Sequence, residues 1–411
     1  MNGPQTSPSA DVIIIGAGVL GCSVAYHLAR AGLKPLVLER GGIAQAATSR
    51  AAGLLSRARS KPFLLPLVRQ TYEDLRDLEV ETGASLGVRT TGSLYVGVSE
   101  TAIRAHRQLM ATAAAQGELV HRLTPPEALD LVPWLHLLGG EEIHYMPEDA
   151  FMDGYALGSG YARAARNRGA RILEGQAVEA ILTGRQRVAG VRTAAGSIAS
   201  PVVVDAAGAW ANLLAQAAGA AIPMAPVRSQ YWITSPDRRF SRNMPFMILP
   251  DARAYARPEG EGLLFGFREA QSVFADPRDL PDDLQGHVVA GDANGWASLE
   301  EGAAAFQRFL PWFGELEIAH YVSGYSTYVP DGLLAVGPLA EPAGLYSAAG
   351  CSGGGVAMAG GVGRALAQMI TGSAPAFDLG PHDPARFGAF DPFSPGWGRR
   401  CADARSHKTT G

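Results

Sequence analysis

Asp11-Val12-Ile13-Ile14-Ile15-Gly16-Ala17-Gly18-Val19-Leu20-Gly21, followed after one helical run by Leu36-Val37-Leu38-Glu39, decides how the rest of the chain is read. The first stretch reads as a buried β-branched strand, a glycine turn and the start of a helix; the second reads as a strand that ends in an acid. Gly16 permits the turn, Gly18 lets a pyrophosphate approach the backbone, and Gly21 allows helix and strand to pack closely. The phosphates then meet the positive helix N-terminus. Glu39 stands roughly 20 residues past the glycines, where a carboxylate accepts from both hydroxyls of an adenosine ribose and repels a 2′-phosphate. A dinucleotide is expected, FAD or NAD rather than NADP.

At 411 residues and 47% hydrophobic, the chain can bury substantial cores and suggests two domains or two interleaved lobes. A net charge of -4 without a basic run argues against nucleic acid as a partner. Cys22, Cys351 and Cys401 show neither paired spacing nor a metal-ligand pattern, so no metal is expected and the default location is the reducing cytoplasm. Residues 1–10 are polar and lack a basic n-region and an apolar h-region, which reads as a frayed tail rather than a signal peptide. No run approaches the roughly 20 apolar residues of a transmembrane segment. Lysine occurs at positions 34, 61 and 408 alone, whereas arginine is plentiful.

Beyond Glu39, the small residues of 41–53 predict a loop beside the cofactor. Helical spacing marks 66–81, and alternation marks a strand over 89–98. Thr124-Pro125-Pro126-Glu127 opens a short helix, and Phe151-Met152-Asp153-Gly154 precedes another ending near Arg168-Gly169. Residues 171–197 read as successive strands turning at Gly184 and Gly196; 198–207 is a buried strand, and a helix begins at Gly208-Ala209-Trp210-Ala211. Alternation, aromatics and prolines over 227–330 suit a mixed or antiparallel sheet, the expected substrate lobe. Gly344–Gly350 reads as a strand running into Ser352-Gly353-Gly354-Gly355 and a helix through Ile370. From Pro375 the proline-rich chain is expected to wrap a surface.

Three of these segments resemble the FAD-dependent amine and amino-acid oxidoreductases of the D-amino-acid oxidase and sarcosine oxidase family. They are the N-terminal fingerprint with its Ala47-Thr48-Ser49-Arg50-Ala51-Ala52-Gly53 loop, the run Val203-Val204-Asp205-Ala206-Ala207-Gly208-Ala209-Trp210, and the unit from Gly344 to Gly372. The resemblance implies an α/β fold with an α+β second lobe: a Rossmann-type FAD-binding domain interleaved with a mixed or antiparallel β-sheet substrate domain. The boundaries are 8–90, 150–226 and 330–375 for the first, 91–149 and 227–329 for the second, and 376–411 for a C-terminal wrap. FAD is preferred to NAD because the triple glycine places backbone amides at a helix N-terminus, which suits negative charge on the pyrimidine edge of a reduced flavin. The implied cofactor-binding residues are Gly16, Gly18, Gly21, Glu39, Arg40, Thr48, Ser49, Ala51, Ala52, Gly53, Val178, Ala207, Gly208, Trp210, Gly350, Ser352, Gly353, Gly354, Gly355 and Val356. Attachment should be noncovalent. Gly324 stands about where sarcosine-oxidase-like members carry a cysteine ahead of Pro330-Asp331, Arg50 stands where dimethylglycine-dehydrogenase-like members carry a histidine, and Cys351 should pack as a small apolar residue.

The resemblance also implies a hairpin over the flavin, Tyr255-Ala256-Arg257-Pro258 with Gly262 to Arg268, in which Tyr255 faces substrate. Leu264 stands where efficient oxygen users carry a lysine, and Arg268 replaces a histidine. With Lys61 as the one lysine near the site, slow oxygen reduction is expected, the electron acceptor being oxygen or, preferably, a quinone or carrier. Family substrates usually carry a carboxylate, which a guanidinium fork matches. Arg50, Arg57, Arg257 and Arg268 are the candidates for the carboxylate; Tyr255, Arg257, Arg268 and Arg50 form the expected catalytic set, while the carboxylate-assisting lysine of relatives falls at Ala357. His144, His320, Tyr325 and Tyr328 are further lining candidates, and Asp331 should fix a turn. The expected reaction is oxidation of the C–N bond of an amino acid or secondary amine, sarcosine-, D-amino-acid- or opine-like, by hydride transfer to flavin and hydrolysis of the imine. Alternatives are oxidation of a 2-hydroxy acid at its C–O bond, or a flavoprotein subunit with partner subunits that uses Met244 to Pro250 as a docking strand.

Overall fold

Ile13–Ile15 sits at the centre of a six-stranded sheet, as expected of three consecutive β-branched residues with no polar side chain. The structure is a computed structural model and describes residues 9–408. The frayed tail expected at the start falls largely on residues 1–8, outside that range, whereas Ser9 and Ala10 pair with Ala199 and extend the fold. The strand order is Ala335–Pro338, Leu345–Ala349, Val203–Asp205, Ile13–Ile15, Leu36–Leu38, Arg171–Leu173, all parallel except the first. Register aligns Ile15 with Asp205 and Leu38, and Asp205 with Ser347. The three glycine-bearing segments therefore leave the sheet along one edge.

Helices Val19–Arg30, Leu65–Thr82, Gly154–Asn167 and Gly355–Ile370 bury one shared apolar core against the sheet. Their backbones come unusually close. A Cβ on Gly361 would lie 2.4 Å from Leu67 Cα, and one on Gly363 would lie 2.2 Å from Ser23 Oγ, which itself donates to Ala359 O at 2.8 Å. The opposite face is covered by an antiparallel ribbon of Val178–Gly184, Arg187–Thr193 and Gly196–Ala199. Its first turn falls on Arg185 and Gln186, at φ 51° and 61°, rather than on the expected Gly184.

The second sheet has eight strands in the order Ile318–Tyr328, Ala225–Thr234, Gly262–Phe267, Ala254–Glu259, Phe246–Leu249, Ser93–Gly97, Glu142–Met146, His121–Leu123. Phe246–Leu249 is buried along its whole length between two neighbours, so the docking-strand reading gives way to a core strand. The expected surface wrap is also only part of the story. Ser394 caps a helix, Pro395–Ser406, that packs on Ala225–Thr234 and buries Trp397, Cys401 and Ala402. Among the described residues no helix is long and apolar enough to cross a membrane.

Candidate active site

The fingerprint glycines are required by backbone crowding. Gly16 has φ +98°, a Cβ there would lie 2.6 Å from Ala206 O, and one on Gly21 would lie 2.0 Å from Gly16 O. Glu39 turns back on the turn: Oε2 accepts from Ala17 N at 2.7 Å and Oε1 from Gly41 N at 2.8 Å. Its backbone carbonyl takes Gln176 N at 2.8 Å, which brings the segment entering Val178 alongside. Thr48 Oγ1 accepts from Val19 N at 3.0 Å, so the small-residue loop closes over the helix N-terminus. Within that loop Ala51 N donates to Thr48 O and Ser49 Oγ to Gln45 O, while Ala52 O and Gly53 O are taken by Arg257 and by Met152 N.

The second crossing is open where a ligand would lie. Gly208 has φ +58°, and a Cβ there would meet nothing within 4 Å. Beside it the Trp210 indole stacks under the Arg40 guanidinium at 3.8 Å, and its buried Nε1 has no partner among the described residues. Arg40 also pairs with Asp282 at 2.9 Å. Asp205 donates no bond; its Oδ1 accepts from Ala207 N at 3.1 Å, Oδ2 is buried without a partner among the described residues, and burial pushes its carboxyl up to about 7. An open glycine, an orphaned indole N–H, a helix N-terminus and Glu39 together fit a dinucleotide.

At the third crossing Gly350, Ser352 and Gly353 all take positive φ, and Ser352 is fastened by donating to Leu333 O at 2.7 Å and accepting from Val329 N at 3.2 Å. Gly354 N is taken by Cys351 O, while Gly355 and Val356 open the long helix. A Cβ on Gly353 would lie 2.5 Å from Tyr328 OH and 3.2 Å from Lys408 Nζ, so both side chains press on the same glycine. Cys351 Sγ rests 3.4 Å from Ser326 Oγ.

Of the expected catalytic set, Tyr255 lies flat on Gly266 and donates to Gln230 O at 3.4 Å. Burial raises the pKa of Tyr255 and of Tyr328, so both stay phenols at neutral pH. Arg257 is a brace: Nε donates to Ala52 O at 2.6 Å, Nη1 to Pro258 O at 2.9 Å, and Glu259 takes its charge. Arg50 bonds Gln45 O and Ala46 O, with its alkyl chain lying across Gly324. Arg57 is held by Glu118 and Glu148. Arg268 lines a cavity of about 350 Å³ with Pro250, Arg253, Ala270, Ser406, His407 and Lys408; burial lowers its pKa.

Tyr325 packs toward Trp210 and meets His287 at 3.4 Å. The histidines expected in the lining do not reach it. His144 lies beside Glu142, with three strands between its own and Gly262–Phe267, and His320 is exposed eight residues, about 26 Å of strand, from Tyr328. Asp331 does fix its turn, accepting from Leu333 N and pairing with Arg386.

Lys408 is the residue that motif reading missed. Its Nζ donates to Ser352 O at 3.1 Å, whereas Lys61 bonds Asp331 O away from the crossing. The expectation of slow oxygen reduction takes Lys61 as the one lysine near the site; Lys408 stands at the third crossing as well. Burial, with Arg268, Arg59 and Arg405 nearby, pulls the Lys408 ammonium down to about 7. The tail is held by a buried ionic knot, also unforeseen: Glu269 accepts from Arg228, Gln230, Ser298 and Arg405 at 2.6 to 3.1 Å. No group of three or more candidate metal ligands occurs among the described residues.

Residues 11–369 match the family model described as FAD dependent oxidoreductase. Mitochondrial sarcosine dehydrogenase of Mus musculus is 32% identical over 391 residues, which cover 93% of this chain and 42% of that protein. Mitochondrial dimethylglycine dehydrogenase of Homo sapiens is 29% identical over 393 residues, 93% of this chain and 45% of that one. The chain thus spans somewhat under half the length of these two relatives. The crystal structure of L-proline dehydrogenase from P. horikoshii matches with a TM-score of 0.82 at 26% identity, over 93% of this chain and 98% of that one.

Proposed function

The chain belongs to the FAD dependent oxidoreductase family, and from that premise we propose that it oxidises the C–N bond of an amino acid or secondary amine that carries a carboxylate. One observation carries the reading: the strand register Ile15–Asp205–Ser347 brings all three crossings to one edge, where Tyr328 presses on Gly353 with Arg268 and Tyr255 close by. FAD, when bound, supplies the two-electron acceptor. Glu39, the amides after Gly16, Arg40 and Trp210 would hold its adenosine and phosphates; the amides from Gly353 to Val356 would face its ring system. Arg268 orients the carboxylate. The two phenols wall the pocket and donate hydrogen bonds without serving as bases, so the amine sheds its proton as the dry site disfavours ammonium. Two electrons and two hydrogens leave the substrate, and water converts the imine to a carbonyl compound and a free amine.

The same reading takes attachment to be noncovalent, supported by Gly324 and Arg50 at the two positions of the tethered relatives. It divides the chain into the cofactor and substrate domains with the boundaries given above, and it places the protein in the cytoplasm on its three free cysteines. The test is anaerobic mixing of FAD-loaded protein with N-methylglycine, N,N-dimethylglycine, proline and D-amino acids. Loss of blue absorbance with release of an amine or ammonia is expected; bleaching by 2-hydroxy acids alone would overturn the reading.

A further inference from the structure

We propose that residues 276–292 form a strap that closes over the adenosine end of FAD and must lift for the cofactor to enter or leave, with Asp282 as its latch; the proposal rests on the cofactor and not on the reaction. The segment joins Gly262–Phe267 of the second sheet to the helix Trp296–Gln307, yet between those ends it crosses to the cofactor domain. Asp282 pairs with Arg40 at 2.9 Å, in the loop that follows Glu39. Leu284 and Val289 are buried together with Ala209 and Trp210 of the second crossing and with Tyr325 of the second sheet.

The surface beneath the strap is shaped for a ligand. Trp210 is 9% exposed with those aliphatic side chains packed on it, and its buried Nε1 has no partner among the described residues. Gly208, two residues before it, has open space where a Cβ would stand. Arg40 lies over the same indole at 3.8 Å, so its guanidinium faces the strap's carboxylate and the aromatic ring at once. A ligand that reaches the Trp210 N–H from the strap side has to displace Leu284 and Val289.

The strap is fastened weakly enough to open. Among the described residues its backbone hydrogen bonds are internal, such as His287 N to Leu284 O at 3.2 Å and Asp292 N to Val289 O at 3.3 Å. Asp282 is 97% exposed, so its ion pair is a surface one and holds little by itself. His287 Nε2 meets Tyr325 OH at 3.4 Å, Arg278 lies over Phe393 at 4.8 Å, and Asp292 stands 3.9 Å from Arg228. Shorter bonds resume on either side: Ala275 N donates to Pro226 O at 2.9 Å, and the Trp232 indole donates to Asn294 O at 3.0 Å. Pinned at both ends and held between them by side chains alone, the segment has the contact pattern of a unit that opens locally.

The experiment is hydrogen exchange of the full chain, read by mass spectrometry over residues 276–292 without ligand, with ADP and with FAD, together with the rate at which flavin fluorescence returns on dilution of the FAD-loaded protein. Exchange is expected to slow at least tenfold with FAD and also with ADP, which carries the adenosine end alone. Leu284→Ser is expected to release FAD at least tenfold faster, and Val288→Ser, at an exposed neighbour on the same strap, to leave the rate unchanged. Equal exchange with and without FAD, protection by FAD but not by ADP, or wild-type release from Leu284→Ser overturns the proposal. Should Leu284→Ser fail to fold, the wild-type exchange pattern decides. Protection by FAD and ADP in a protein that oxidises no amine would spare the strap and sink the reaction.

Discussion

Glu39 engages two backbone amides with its two carboxylate oxygens, tying the glycine turn to the start of the following loop. Glu39→Ala should release both amides and cut FAD affinity about 10- to 100-fold, read as flavin retained after dialysis. Asp205 makes an independent prediction. Its folded pKa of about 7 lies above its ordinary 3.8, so the folded state holds the proton more tightly than the unfolded one. Stability therefore declines as pH rises through that window and levels off above 7. Asp205→Asn removes the decline; urea midpoints of variant and wild type should diverge from pH 4 to 7 in favour of the variant, and parallel midpoints would refute the assignment. Gly16, Gly21 and Glu39 were legible in the sequence because each answers a local backbone demand. Arg257 was not, because its fork is claimed by Ala52 O, 205 residues away. Lys408 lies in no motif or periodic run at all.

At the scale of elements, the helix Gly355–Ile370 owes its packing to what its glycines lack. Gly361→Ala drives a methyl into the Leu67 backbone rather than into a yielding side-chain tip, and should cost about 1–3 kcal/mol in denaturant unfolding without changing the slope. The first strand–helix–strand unit and the helix Leu65–Thr82 follow their apolar periodicity closely. The C-terminal helix escaped notice because the prolines around it read as interruptions, although Ser394-Pro395 is a good helix start. The first ribbon turn moved off Gly184 because Arg185 and Gln186 accept the left-handed conformation, a choice settled by strand register and not by composition.

At the scale of the molecule, the Glu269 knot joins the strand Ala225–Thr234, the helix Trp296–Gln307 that carries Ser298, and the C-terminal helix through one carboxylate. Glu269→Gln leaves Arg405 buried without its counter-charge and Arg228 with Asp292 at 3.9 Å, which should cost about 3–5 kcal/mol and expose the C-terminal helix to limited proteolysis before the rest of the chain. Such long-range knots are invisible to motif reading, whereas alternation over 89–98 and 227–330 does mark strands of the eight-stranded sheet. The contact between Arg50 and Gly324 reaches furthest. A Cβ at 324 would stand 2.8 Å from Arg50 Cδ, in the middle of a long side chain rather than at its tip. A thiol introduced at 324 would therefore need Arg50 to swing aside or shorten, so the effects of substitutions at 50 and 324 should be coupled rather than additive.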